Sequence, residues 1–268
     1  MDNIYIILVL LIVVALLSFL SVNRRYLSIS GAISAYAIGL ILIFSSGVFY
    51  FVMLLIAFLI TNLATSYRIE EKIKLKLIIA KKPIRDWRNV LGNGLPILFF
   101  AILEYFFSSD LFIFAFLAST ATFLSDTVST EIGVLSKAKP VMITNFKETH
   151  TGRSGAISSQ GLLSGLAFSL LFAYISHFFF TSINLVALLF IVVVSSTLAN
   201  LFDSLLGATV QINYYCDKCN MYSEEKMHVC GNECKKVSGY SFINNHVVNF
   251  ISIFLGGLLS IAMALVLP

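Results

Sequence analysis

Residues 4–22 read Ile-Tyr-Ile-Ile-Leu-Val-Leu-Leu-Ile-Val-Val-Ala-Leu-Leu-Ser-Phe-Leu-Ser-Val, with no Lys, Arg, Asp or Glu among them. A helix of that length crosses the roughly 30 Å hydrocarbon core of a bilayer. Leu162–Phe180 and Ile183–Leu201 are equally free of charge. Around these runs the chain is 58% apolar and 12% charged over 268 residues, against about 45–50% and 25% for a soluble domain. That balance excludes a water-soluble globule, a disordered chain, a nucleic-acid module and a secreted disulfide scaffold. Each of these needs polar or basic surface, or dense cysteine.

Working outward, apolar segments recur near residues 4–22, 27–45, 48–67, 93–107, 110–128, 160–180, 183–203 and 246–267, eight in all. Backbone polar groups cannot face lipid unpaired, and no alternating pattern fits such runs, so each segment is expected to be a helix. The expected fold is an all-α polytopic bundle forming one integral membrane domain over residues 1–268. The first run follows no basic stretch and leads at once into Asn23, Arg24 and Arg25, which predicts an anchor, not a signal peptide. The segment at 93–107 is ambiguous, because Gly92, Asn93, Gly94 and Pro96 open it and a re-entrant turn also fits.

The basic residues arbitrate, since cytoplasmic loops collect Lys and Arg. With eight full spans, all 18 fall in the odd-numbered loops: Arg24 and Arg25, Arg68 to Arg88, Lys137 to Arg153, and Lys218 to Lys236. A re-entrant fourth segment would divide them almost evenly between the two sides. The expectation is therefore eight spans, with these loops cytoplasmic and both termini outside. In that orientation Asn62, Asn93, Asp126, Glu131, Asn200, Asp203, Asn245 and Asn249 all lie near the cytoplasmic ends of their spans. A carboxylate deep in lipid costs about 2.5–3.5 kcal/mol on insertion scales, so such residues face a cavity or a partner.

Ser125-Asp126-Thr127-Val128-Ser129-Thr130-Glu131 closes the fifth span, with Asp126 and Thr130 one helical turn apart. An aspartate among hydroxyls at a membrane mouth suits a magnesium ion that keeps waters and substrate phosphates; a capped helix end is the plainer alternative. Asn200, Asp203, Gly207 and Gln211 make one stripe on the seventh span. Spans five and seven run in the same direction, so Asp126 and Asp203 reach the same depth. Together they suit one or two divalent ions, unless the stripe only links helices by hydrogen bonds.

The stretch from Lys147 through Gly152, Arg153, Ser154 and Gly155 to Gly161 enters the sixth span at its helix N-terminus. Glycines let amides approach an anion, the helix end adds partial positive charge, and Lys147 and Arg153 add full charges. It is not a P-loop pattern, and an ordinary Gly/Ser turn has the same composition. Residues 68–92 form a basic segment, expected to be an amphipathic helix on the cytoplasmic lipid surface, with part of its charge able to steer a nucleotide. Within the cytoplasmic loop 213–240, Cys216 and Cys219 are followed by Cys230 and Cys234. Four thiolates at this spacing predict a closed, structural zinc site, with His228 as an alternative ligand.

Arg88-Asn89-Val90-Leu91-Gly92-Asn93-Gly94, Ser125-Asp126-Thr127 through Glu131-Ile132-Gly133, Gly152-Arg153-Ser154-Gly155, Asp203 through Gln211, the Cys216/Cys219 to His228-Val229-Cys230-Gly231 loop, and Val248-Asn249-Phe250 occur in this order. In these motifs, roughly over residues 30–265, the chain resembles the membrane-protein family that contains plant phytyl phosphate kinase and transmembrane protein nineteen. The resemblance implies transfer of a phosphoryl group from a nucleoside triphosphate to an isoprenoid monophosphate. The aspartate and glycine pattern is also similar to that of polyprenol kinases using CTP. Carried over, Asn93, Asp126, Glu131, Gly152, Ser154, Gly155, Asp203 and Gln211 are the expected site positions. Cys234 departs from the family, where a hydroxyl residue is common, which leaves the fourth zinc ligand open between it and His228.

The expected catalytic groups are Asp126, Asp203 and Arg153, with Asn93, Lys147, Gly152, Ser154, Gly155, Asn200 and Gln211 binding phosphates. Asp126, Glu131 and Asp203 are the expected magnesium ligands. The expected partners are a nucleoside triphosphate, an isoprenoid lipid phosphate and membrane lipids, with no nucleic acid. A lipid cytidylyltransferase would use the same groups but release diphosphate. A transporter or lipid translocase would need polar residues at mid-membrane, and the outer half offers only Glu104 and little else.

Overall fold

The computed structural model describes residues 2–75, 84–228 and 230–266. Long apolar helices dominate: α1 (Asp2–Asn23), α2 (Ile29–Ser45), α3 (Val48–Ser66), α5 (Trp87–Phe107), α6 (Asp110–Gly133), α7 (Ser159–His177), α8 (Leu185–Thr209) and α9 (Asn245–Val266), with a short α4 (Ile69–Lys74) after α3. Six of them, from α3 onward and omitting α4, are long and apolar enough to cross a membrane, while Ile7–Asn23 and Ile29–Ser45 are shorter apolar stretches. The structure thus bears out a multi-pass helical membrane protein.

Helix α6 is the axis of the bundle, packed against α3, α5, α7, α8 and α9, while α1 rests on α2 and α2 on α5. Its run from Phe114 to Ser125 is buried throughout. Lipid offers no hydrophobic drive for helices to associate, so close approach of small residues and interhelical hydrogen bonds must hold them. Gly165 of α7 illustrates this: a Cβ there would stand 2.1 Å from Ser129 Oγ of α6.

Three sequence expectations need adjustment. The fourth span begins at Trp87, not 93, because Asp86 caps it by accepting from the Arg88 and Asn89 amides at 3.0 and 3.2 Å. Gly92, Asn93, Gly94 and Pro96 therefore lie inside a 21-residue helix. Residues 68–92 are not one surface helix either, since α4 and the start of α5 each take part of them and residues 76–83 lie outside the described residues. Within α4, Lys72 is buried, its Nζ donating to Ala64 O and Thr65 O at 3.0 and 3.3 Å and so closing the carbonyl end of α3. Finally, the cysteine region is not simply a loop but a three-stranded antiparallel sheet. Strand β3 (Asn213–Cys216) lies between β4 (Met221–Ser223) and β5 (Lys235–Ser238). A second small pair, β1 (Val141–Met142) with β2 (Ala156–Ile157), folds the α6–α7 connection back toward the bundle.

Candidate active site and metal cluster

At one end of the bundle a cavity of about 270 Å³ opens between α5, α6, α8, α9 and the glycine-rich loop. Asp126 of α6 and Asp203 of α8 both line it. Ser252 Oγ on α9 donates to Asp203 Oδ2 at 2.5 Å, fixing one face of that carboxylate. The same cavity is lined by Gly152, Arg153, Ser154 and Gly155, then by the N-terminus of α7, where Ser158 Oγ accepts from the Gly161 amide at 3.1 Å. Gly155 has φ +79, and a Cβ would stand 2.4 Å from Ala208 Cβ, so only glycine lets this loop lie on α8. The Arg153 guanidinium stacks over Tyr222 of β4 at 4.6 Å from its centroid.

The amide side chains brace the walls. Asn200 Nδ2 donates to Ser125 Oγ and Ser129 Oγ at 3.0 and 2.9 Å, tying α8 to α6 beside Asp126. Asn249 Nδ2 donates to Asn93 Oδ1 at 3.1 Å, joining α9 to α5. Gln211 lies two residues beyond α8, off the helical stripe its spacing suggested, yet it lines the cavity and donates from Nε2 to Ser154 Oγ and Glu224 Oε1 at 3.2 and 3.3 Å.

Two positions depart from the sequence expectation, one in place and one in partner. Lys147 is exposed on the turn after β1, where its main chain binds Met142 and its side chain does not line the cavity. Glu131 does line it, but its Oε2 accepts from Lys72 Nζ at 2.6 Å within a largely buried ion pair.

Conversely, Arg85, Asn89 and Glu224 line the cavity without having been singled out in the sequence. Glu224 carries an exposed stem, but its carboxyl turns inward toward Gln211 and Ser154. Burial of that carboxyl pushes it above the usual carboxylate range, against the pull of the Gln211 hydrogen bond. No spacing rule links it to the site, since it directly follows β4 of the cysteine sheet and arrives only through tertiary folding. Arg85 was absorbed into the basic run before α5. Its Nη1 donates to Thr61 Oγ1 at 3.0 Å, and Phe58 and Phe123 lie 5.9 and 5.8 Å from the guanidinium carbon. Burial lowers it to about 10, which still leaves it charged at neutral pH. Arg85, Asn89 and Asn93 also line the inner end of a second, apolar groove of about 110 Å³ between α1, α2, α3 and α5.

In the cysteine sheet, Cys216, Cys219, His228 and Cys230 bring their ligand atoms within 4.8 Å of one another. His228 thus stands where the sequence had set Cys234 first; Cys234 is buried nearby but outside this group. Hydrogen bonds from His228 and the Asn232 amide pull the Cys230 thiol down to about 6, favouring thiolate. Three thiols and an imidazole form a donor set that fits zinc, with no position left for substrate.

The family described as Integral membrane protein DUF92 matches residues 12–257. An uncharacterised membrane protein of Methanocaldococcus jannaschii is 31% identical over 198 residues, covering 74% of this chain and 80% of its own. Protein PGR of Arabidopsis thaliana is 29% identical over 272 residues, covering 93% of each chain. Protein VTE6, chloroplastic, also of Arabidopsis thaliana, is 30% identical over 242 residues, covering 88% of this chain and 65% of its own. No solved structure matches the chain. With its apolar helices and a match over nearly its whole length, the chain belongs to the DUF92 family of integral membrane proteins.

Proposed function

We propose that this protein is a membrane kinase that transfers the γ-phosphoryl group of a nucleoside triphosphate to an isoprenoid monophosphate, giving the diphosphate. The observation that carries this reading is the cavity lined together by Asp126, Asp203, Arg153, the Gly152–Gly155 loop and the α7 N-terminus. Phosphoryl transfer asks a protein mainly for positioning and charge neutralisation, and these groups supply both. The family resemblance carried by the ordered motifs supports the substrate class.

In this mechanism an oxygen of the acceptor phosphate attacks the γ-phosphorus, the bond to the β–γ bridging oxygen breaks, and a nucleoside diphosphate leaves. The acceptor is already an anion, so no general base is required. Asp126 and Asp203 form an oxygen donor set that fits magnesium, which when bound would offset triphosphate charge. Arg153, Ser154 and the loop amides would bind the transferring group or the leaving diphosphate. Ser252 orients Asp203, and Asn200 holds α8 against α6 so that the two carboxylates keep their spacing. Glu131 is held by Lys72, and in this reading it serves structure. Both termini lie outside and the cavity faces the cytoplasm, with α1 and α2 completing eight spans; zinc at Cys216, Cys219, His228 and Cys230 holds the sheet that backs the cavity.

The test is an assay of purified protein with geranylgeranyl monophosphate, magnesium and nucleoside triphosphates labelled at either the α or the γ phosphorus. Label entering the lipid from the γ position alone, to give geranylgeranyl diphosphate, is the expected result. Lipid labelled from the α position with release of diphosphate would instead mean cytidylyl or nucleotidyl transfer. No labelled lipid from folded protein with any nucleotide would overturn the reading.

A further inference from the structure

The polar cavity and the apolar groove meet at three side chains, Arg85, Asn89 and Asn93. On the groove side the lining is almost wholly aliphatic and aromatic: Leu17 from α1, Ile38 from α2, Phe51, Leu54 and Phe58 from α3, and Ile97 from α5. Several of these are only half-buried, so the groove reaches the outer surface of the bundle, where lipid would lie. Its face on α1 runs from Val14 to Ser21, about 10 Å at 1.5 Å per residue, enough for the first part of an alkyl chain but not for a folded headgroup.

Arg85 stands at the junction. Among the described residues it makes no ion pair, and its one side-chain hydrogen bond goes to the neutral Thr61. A guanidinium carries five donors in a fixed fork, so among the described residues most of them are left for an anion, with the Glu131 carboxylate the one nearby charge that acts on it. Arg85 is also anchored through its backbone, its N–H donating to Tyr26 O at 3.2 Å and its carbonyl accepting from Ser28 N at 3.0 Å. The positive charge is therefore held at the point where an apolar chain passes into a polar chamber. A bilayer phospholipid would need room for two tails and a glycerol, whereas the groove has a volume of about 110 Å³.

We infer that the groove between α1, α2, α3 and α5 takes the alkyl chain of a single-chain prenyl monophosphate, and that Arg85 binds its phosphate and aims it into the cavity. This assignment rests on the kinase reading for the identity of the lipid. Asn89 and Asn93 supply further donors beside that phosphate, while Asp126, Asp203 and the glycine-rich loop remain for the nucleotide. Two substrates thus enter by separate routes, one from the membrane and one from solution.

The test uses full-length protein without nucleotide and geranylgeranyl monophosphate carrying a photoreactive diazirine near its distal end. Labelled peptides are mapped, and unlabelled geranylgeranyl monophosphate, geranylgeraniol and phosphatidic acid serve as competitors. Label on α1, α2 or α3 residues facing the groove, displaced by the monophosphate much better than by the other two, is expected. Arg85→Gln should weaken monophosphate binding about tenfold or more, the scale of a charge-assisted pair, while leaving the weak binding of geranylgeraniol unchanged. That selectivity is a readout a general packing defect would not move. Ala35→Phe, which narrows the groove without touching Arg85, should abolish groove labelling even if the Arg85 variant fails to fold.

Label elsewhere, equal competition by geranylgeraniol or phosphatidic acid, or unchanged affinity in a folded Arg85→Gln protein would each overturn the inference. The two readings separate cleanly. Groove labelling without diphosphate formation under any nucleotide leaves the binding site and removes the kinase. Turnover with the label elsewhere keeps the kinase and removes the groove.

Discussion

Asp126, Asp203 and Glu224 bring carboxylates to a cavity of about 270 Å³, whereas Cys216, Cys219, His228 and Cys230 gather sulfur and nitrogen within 4.8 Å. The first region is roomy and lined by hard oxygen donors, which suits an ion that exchanges and keeps positions for substrate. The second is closed and soft, which suits an ion that stays and stabilises a fold. They are joined physically, because Tyr222 of β4 and Glu224 just after it contact Arg153, Gln211 and Ser154 at the cavity. A small sheet too slight to hold its own core can therefore serve as one wall of a site otherwise built from membrane helices.

The contrast breaks first at the carboxylates. Asp126→Asn or Asp203→Asn should lower the proposed prenyl phosphate kinase activity about a thousandfold or more, with unchanged expression and melting temperature. Full activity in either folded variant would remove that residue from the ion site. Cys216→Ser should lose one equivalent of zinc by metal analysis and about 10–100-fold in activity, because Glu224 and Tyr222 lose their support. Wild-type protein without stoichiometric zinc would collapse the distinction between the two regions.

Stability measurements sharpen it. Lys72→Met leaves Glu131 without its partner and should cost about 3–5 kcal/mol in thermal or denaturant unfolding, with Lys72→Met/Glu131→Leu recovering much of it. If Glu131→Gln instead abolished activity at full stability, Glu131 would belong to the ion site after all. The smallest effect belongs to Glu224. Its folded carboxyl is raised above its unfolded value, so the protonated form favours the fold: stability is greatest below the ordinary carboxylate range and declines as pH rises through the raised value. Glu224→Gln should therefore melt slightly higher than wild type at neutral pH without magnesium, with the gap closing near pH 4. A lower melting temperature at neutral pH would contradict this.

Much of the candidate site was readable because its residues follow local rules. Asp126 and Thr130 share a helix face, glycines precede a helix start, and four cysteines fall close together, each a pattern of spacing alone. Arg85 and Glu224 were not readable, since each reaches the cavity from a segment whose path depends on distant packing. The same limit moved Lys147 away, set His228 in the Cys/His cluster and tied Glu131 to Lys72. Pro96 misled because a proline suggests a helix start, while the Asp86 cap starts the helix at Trp87, nine residues before Pro96.

By itself the sequence determined the membrane and the helices, because long uncharged runs have one stable backbone solution in lipid. It also pointed to carboxylates near the span ends, a glycine-rich loop and clustered thiols as candidate site residues, since a carboxylate in lipid is costly without a partner or cavity. Tertiary structure alone decided which of them meet. Helix rotation, the fold-back of the cysteine sheet and the junction of groove and cavity depend on interhelical contacts between residues far apart in the chain, which no local pattern encodes.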